Sequence, residues 1–92
     1  MSAHYKTTEA DAPYFDVDTI IHINTNRYGE YGRLCALLDR GKWEIVRFSA
    51  IEGATLIVTN PDGSNERRVH GAEHDGLFLV EAIQPPGARC TA

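Results

Sequence analysis

Trp43-Glu44-Ile45-Val46-Arg47-Phe48 is apolar on both side-chain parities: Val46 and Phe48 leave one side of an extended chain, Trp43 and Ile45 the other. A strand with one face in water alternates apolar with polar residues, so this one needs a cover on each face. The cover can come from the same chain or from a partner. β-Branched and aromatic residues fill the stretch, as a pleated surface favours. The reading that follows is a small β protein whose work is contact.

Short apolar runs closed by turn residues continue on both sides. Val17-Asp18-Thr19-Ile20-Ile21-His22-Ile23 is rich in β-branched residues, and residues 24–32 form a loop with two glycines and two asparagines. Ala54 to Thr59 and Glu66 to His70 flank Asn60-Pro61-Asp62-Gly63-Ser64-Asn65, where Pro61 presets a type I turn and Gly63 suits the left-handed position after it. Leu77 to Ile83 is the last strand, and Pro85-Pro86 stops the ladder. The segment from Tyr31 to Arg40 admits two readings. Tyr31, Leu34 and Leu38 are spaced like a helix face with Gly41 as its C-terminal stop, while a tight turn at Arg40-Gly41 would close a strand. Strand is favoured, and a short helix near residues 31–40 is the alternative. The expected organisation is a flexible arm over residues 1–13, a single β-barrel domain over 14–84 and a flexible tail over 85–92. Ile21, Ile23, Leu37, Val46, Phe48, Val58, Leu79 and Ile83 are the expected core.

Read as strands, the order resembles an SH3-like barrel of the KOW or photosystem I subunit IV type. Tyr28-Gly29-Glu30-Tyr31-Gly32 resembles the opening of such barrels, Glu44-Ile45-Val46-Arg47-Phe48 their central strand, and Gly76-Leu77-Phe78-Leu79-Val80-Glu81 their turn into the last strand. The resemblance covers about residues 17–83. It implies an all-β fold, a small SH3-like barrel of five to six strands, and a small accessory subunit. The hairpin over 54–70 is longer than that pattern, the N-terminal arm is additional, and the charge departs from a typical KOW nucleic-acid binder. No catalytic or binding residue transfers.

The composition sets outer limits. At 92 residues there is room for one modest core, and 42% hydrophobic with 24% charged residues is ordinary for a globular domain. A formal charge of −4 disfavours nucleic-acid backbone as a partner, and Arg67-Arg68 is the only adjacent basic pair. Cys35 and Cys90 do not make a disulfide framework and read as reduced thiols of a cytoplasmic protein. No secretory signal is visible, and no apolar run approaches the roughly 20 residues of a membrane helix, so no membrane insertion is expected.

The chemistry-bearing residues are sparse. His70-Gly71-Ala72-Glu73-His74-Asp75 gathers metal-ligand types, but its glycines argue against a helix that would hold both imidazoles on one face, so no metal and no cofactor is expected. Cys35, between Leu34 and Ala36, lacks the electropositive setting of a reactive thiolate, and neither Ser49 nor Ser64 sits in a nucleophile elbow. The chain is therefore read as no enzyme. Tyr28, Tyr31, Trp43, Ile45 and Arg47 are the candidate partner-binding residues, because Val46 and Phe48 define the inward parity and leave Trp43 and Ile45 outward. The expected function is a non-catalytic protein-interaction module or accessory subunit that binds another protein or itself. The alternatives are a KOW-like nucleic-acid-binding domain and an acidic inhibitor from a mobile element that occupies a host protein's site.

Overall fold

The computed structural model of the chain describes residues 2–70 and 75–86. Seven strands occur among them: β1 (Ser2–Lys6), β2 (Ile20–Tyr28), β3 (Leu34–Asp39), β4 (Lys42–Glu52), β5 (Thr55–Thr59), β6 (Arg67–His70) and β7 (Gly76–Gln84). They make one antiparallel sheet in the order β1-β2-β7-β3-β4-β5-β6, curled into a half-barrel. The count exceeds the expected five to six because β1 is added at one edge. The short helix considered near residues 31–40 does not form.

Turn chemistry explains why 31–40 is a strand. Arg40 and Gly41 both have positive φ, 52° and 80°, which is the pattern of a type I′ two-residue hairpin between β3 and β4. That turn matches the twist of paired strands, and leucine's helix preference yields to it. Asn60-Pro61-Asp62-Gly63 closes as a turn, with the Gly63 N–H donating to the Asn60 carbonyl at 2.8 Å and Gly63 at φ 89°. Three irregularities bend the ladders. They lie at Ser49 in β4, at Glu81 in β7, and over residues 25–27 of β2. Bulges of this kind increase local twist, which suits a sheet that curls.

Both faces of the sheet carry apolar clusters, and the parities sort them cleanly. One cluster holds Cys35 and Leu37 of β3, Val46 and Phe48 of β4, Leu56 and Val58 of β5, and Leu77 of β7. The other holds Ile21, Ile23, Ala36, Ile45 and Val80. Packed on this second cluster are Ala3 and Tyr5 of β1, Phe15, Leu34, Trp43 and Phe78. The cover demanded by the double-sided β4 is therefore supplied by the chain's own N-terminal segment.

That segment differs from the flexible arm suggested by its composition. Ser2–Lys6 pairs residue by residue with β2, Tyr5 opposite Ile21 and Ala3 opposite Ile23. A one-turn 3₁₀ segment, Glu9–Asp11, follows, closed by a reciprocal cap between Thr8 and Asp11. The chain then returns to β2 through a buried knot. The Thr7 hydroxyl donates to the Asp16 carbonyl at 2.6 Å and accepts from the Thr19 N–H at 3.0 Å, while the Thr7 N–H donates to the Thr19 carbonyl at 2.9 Å. Burial of a threonine is tolerated here because its polar atoms are all paired.

Of the expected core, all but Ile83 are buried; Ile83 keeps 42% of its surface exposed. The bulge at Glu81 explains it. Val80 pairs with Ile23, Ala82 with His22 and Ile83 with Ile21, so the parity that buries Leu77 and Leu79 does not continue past residue 81. Ile83 is carried to the end of the other face, where the cover stops.

Candidate functional site

The five residues proposed from sequence as one contact patch fall on two different sides. Tyr28 and Tyr31 belong to the side of Phe48. Tyr28 is 53% exposed with its ring edge-on to Phe48 at 6.3 Å, and Tyr31 is 61% exposed with its ring 4.8 Å from Phe48 at 37°. The loop that presents them is pinned by two backbone bonds, from Gly32 N–H to the Phe48 carbonyl at 2.7 Å and from Phe48 N–H to the Arg33 carbonyl at 3.1 Å. Partial burial pushes the Tyr28 hydroxyl above its ordinary pKa, with Cys35 and Tyr31 adding to the effect. Tyrosine rings held this way present large contact area with little conformational freedom left to lose.

Trp43, Ile45 and Arg47 lie on the opposite side, and Ile45 is only 4% exposed because the N-terminal segment covers it. Its assignment to an open patch is corrected on that ground. Trp43 is half-buried, edge-on to Phe78 at 5.9 Å. Arg47 is spent on structure: Nε donates to the Pro61 carbonyl at 3.0 Å and Nη1 to the Gly32 carbonyl at 2.8 Å. It thereby ties the loop that carries Tyr31 to the turn between β5 and β6.

Trp43 instead lines a cleft of about 310 Å³ between the N-terminal segment and β4. Tyr5, Asp11, Tyr14, Phe15, Trp43, Glu44 and Pro61 contribute to its walls. The pairing of β4 with β5 covers only Arg47 to Glu52, and Trp43, Glu44 and Ile45, before that point, line the cleft. The Tyr5 hydroxyl donates to Asp11 Oδ2 at 2.7 Å, and the Thr8 N–H donates to the same oxygen at 2.9 Å. Burial first, and then the Asp11 carboxylate as acceptor and charge, push the Tyr5 hydroxyl up to about 12.

Sequence reasoning missed Tyr5, Asp11, Tyr14 and Phe15. A signal was present. Residues 1–15 hold three of the chain's eight aromatic side chains, and aromatic density is what disordered segments lack.

The other candidates carry little chemistry. Burial pushes the Cys35 thiol up, the reverse of what a nucleophilic thiolate requires. His70 Nδ1 lies 3.3 Å from the Thr55 hydroxyl, whereas His74, the other imidazole of that run where no metal is expected, is outside the described residues, as is Cys90. Among the described residues no group of three His, Cys, Asp or Glu side chains converges, and no helix is long and apolar enough to cross a membrane. Arg67 and Arg68 are each ion-paired, with Glu44 and Glu52 respectively. Comparison with protein-family models, with curated proteins and with solved structures returned no match.

Proposed function

We propose that this chain is an SH3-like barrel that serves as a non-catalytic interaction module or small accessory subunit in the cytoplasm, and that its protein partner docks on the Tyr28–Tyr31 pair. The observation that carries the reading is the pair itself: two tyrosines more than half exposed, both resting on the buried ring of Phe48. Tyrosine is among the residues in which binding energy concentrates, and rings already fixed by packing lose less entropy on docking. The engagement of Arg67 and Arg68 by Glu44 and Glu52 favours a protein partner over a nucleic-acid backbone, because the one basic pair is already neutralised.

The test compares the native chain with a Tyr28→Ser/Tyr31→Ser variant, tagged and recovered from the native cell, with sedimentation velocity as a parallel readout of self-association. The expected result is a stoichiometric partner, or a dimer, that the variant loses while its circular dichroism is unchanged. Retention of the same partner at the same stoichiometry by the folded variant would refute the reading.

A further inference from the structure

The cleft under the N-terminal segment is lined by four aromatic rings and two carboxylates, with no basic side chain among its lining residues. Tyr5, Tyr14, Phe15 and Trp43 are all half-buried and all line the cleft, and Tyr5, Phe15 and Trp43 pack against the second cluster. Aromatic faces carry the negative end of a quadrupole and attract cations, tryptophan most of all. The Asp11 carboxylate lines the same cleft. Both of its hydrogen bonds, from the Tyr5 hydroxyl and the Thr8 N–H, fall on Oδ2, which leaves Oδ1 with its lone pairs for a ligand. Among the described residues no basic side chain reaches ion-pair distance of Asp11. Glu44, the other carboxylate of the lining, is paired with Arg67, so Asp11 carries the uncompensated charge. A cation entering the cleft meets this carboxylate, whereas a neutral ligand would only cover it from water.

We propose that this cleft is a binding site for one organic cation of side-chain size, an ammonium or guanidinium group held between the four aromatic rings and Asp11. A volume of about 310 Å³ lies at the small end of ligand pockets and has room for such a group with part of its stem. The site is separate from the Tyr28–Tyr31 surface and stands or falls independently of it.

Trp43 is the chain's one tryptophan and lines the cleft, so its fluorescence reports occupancy directly. The full chain is titrated with N-acetyl-trimethyllysine methylamide, with arginine amide, and with the neutral tert-butyl isostere of the first. Saturable binding of at least one cation is expected, with the isostere roughly tenfold weaker or worse, the size of a cation–π contact in a partly desolvated site. Asp11→Asn keeps a hydrogen-bond acceptor for Tyr5 and Thr8 and removes the charge, and it should lower cation affinity severalfold without changing the weak isostere binding. A short peptide carrying the cation that binds more tightly than the amide would identify a partner side chain as the source; equal affinity would identify a free small molecule. Equal affinity of cation and isostere in the native protein, or no saturation by either cation, would overturn the proposal whatever the variant does.

Discussion

Thr7→Val tests whether the N-terminal segment is held by hydrogen bonds or by apolar burial. The substitution is nearly isosteric and replaces a hydroxyl at a fully buried position, so burial alone predicts a gain in stability. The structure predicts a loss. The Thr7 hydroxyl makes two bonds, one given to the Asp16 carbonyl and one accepted from the Thr19 N–H. Without it the Asp16 carbonyl keeps the Thr19 hydroxyl at 2.7 Å, but the Thr19 N–H keeps only a 3.3 Å contact with that same carbonyl. Two bonds at about 0.5–1.5 kcal/mol each, less a partial offset from the added methyl, give a net cost of about 1–2 kcal/mol. For a domain of this size that corresponds to a fall of about 5–15 °C in Tm. Thr59→Val is the internal control: its hydroxyl makes one bond, to the adjacent Asn60 carbonyl, which also receives the Gly63 N–H, so its change should stay within about 0.5 kcal/mol of zero. Urea unfolding followed by Trp43 fluorescence and by circular dichroism measures both variants. If Thr7→Val matches or exceeds the native protein, the knot is not what fixes the segment, and the reasoning fails.

Other consequences can be checked with the same assays. Phe48→Ala removes a buried ring and the support of both exposed tyrosines, and should cost ~3–5 kcal/mol; an unchanged melting temperature would contradict the assigned parity of β4. Gly29→Ala should destabilise by ~1–3 kcal/mol, because the new Cβ would lie 2.8 Å from Cys35 Sγ and 2.9 Å from Leu77 Cδ2, both in the buried core. Gly76→Ala, whose new Cβ would meet only the half-buried Phe78 ring, should cost less than Gly29→Ala, and the reverse order would refute the packing described. The Tyr5 hydroxyl should ionise near 12 rather than 10.0, since burial and the Asp11 carboxylate favour its neutral form. Its folded pKa lies above the unfolded one, so its stabilising contribution is complete below pH 10 and is lost as pH rises from 10 towards 12. Phenolate absorbance should show that late transition in the native chain and not in Tyr5→Phe, and Asp11→Asn should move it down.

The parts of this fold legible in sequence are those where local chemistry and tertiary packing agree. Val46 and Phe48 against Trp43 and Ile45 announce a strand covered twice, and the two clusters sort along that parity. Asn60-Pro61-Asp62-Gly63 specifies its turn by backbone preference, whereas Arg40-Gly41 admits a hairpin turn or a helix stop until β3 pairs with β4. The parts that were not legible depend on pairing at a distance. Ser2–Lys6 alternates Ala3 and Tyr5 with His4 and Lys6, but five residues of modest propensity become a strand only because β2 offers a partner edge. Ile83 looks like a continuation of Leu79 until one extra residue at Glu81 is inserted, and nothing local to Glu81 announces a bulge.

The same dependence redirects where contact with other molecules is to be sought. An apolar strand face read from sequence has an undetermined cover, and assigning it to a partner made Trp43 and Ile45 a contact patch. With Tyr5 and Phe15 in place the cover is internal, and what remains open is the border between that cover and β4. The border is where aromatic rings, a carboxylate and residues of β4 meet. Tyr28 and Tyr31 arise differently: they rest on Phe48, at the exposed side of the first cluster. Arg47 touches the structure behind both, through the Gly32 carbonyl beside Tyr31 and the carbonyl of Pro61, which lines the cleft. Arg47→Lys preserves charge but cannot span two carbonyls with a planar fork, so it should loosen both loops at once and broaden the resonances of Tyr31 and Trp43 together in NMR spectra. If only one of the two responded, the sites would be held independently and Arg47 would not be their common brace.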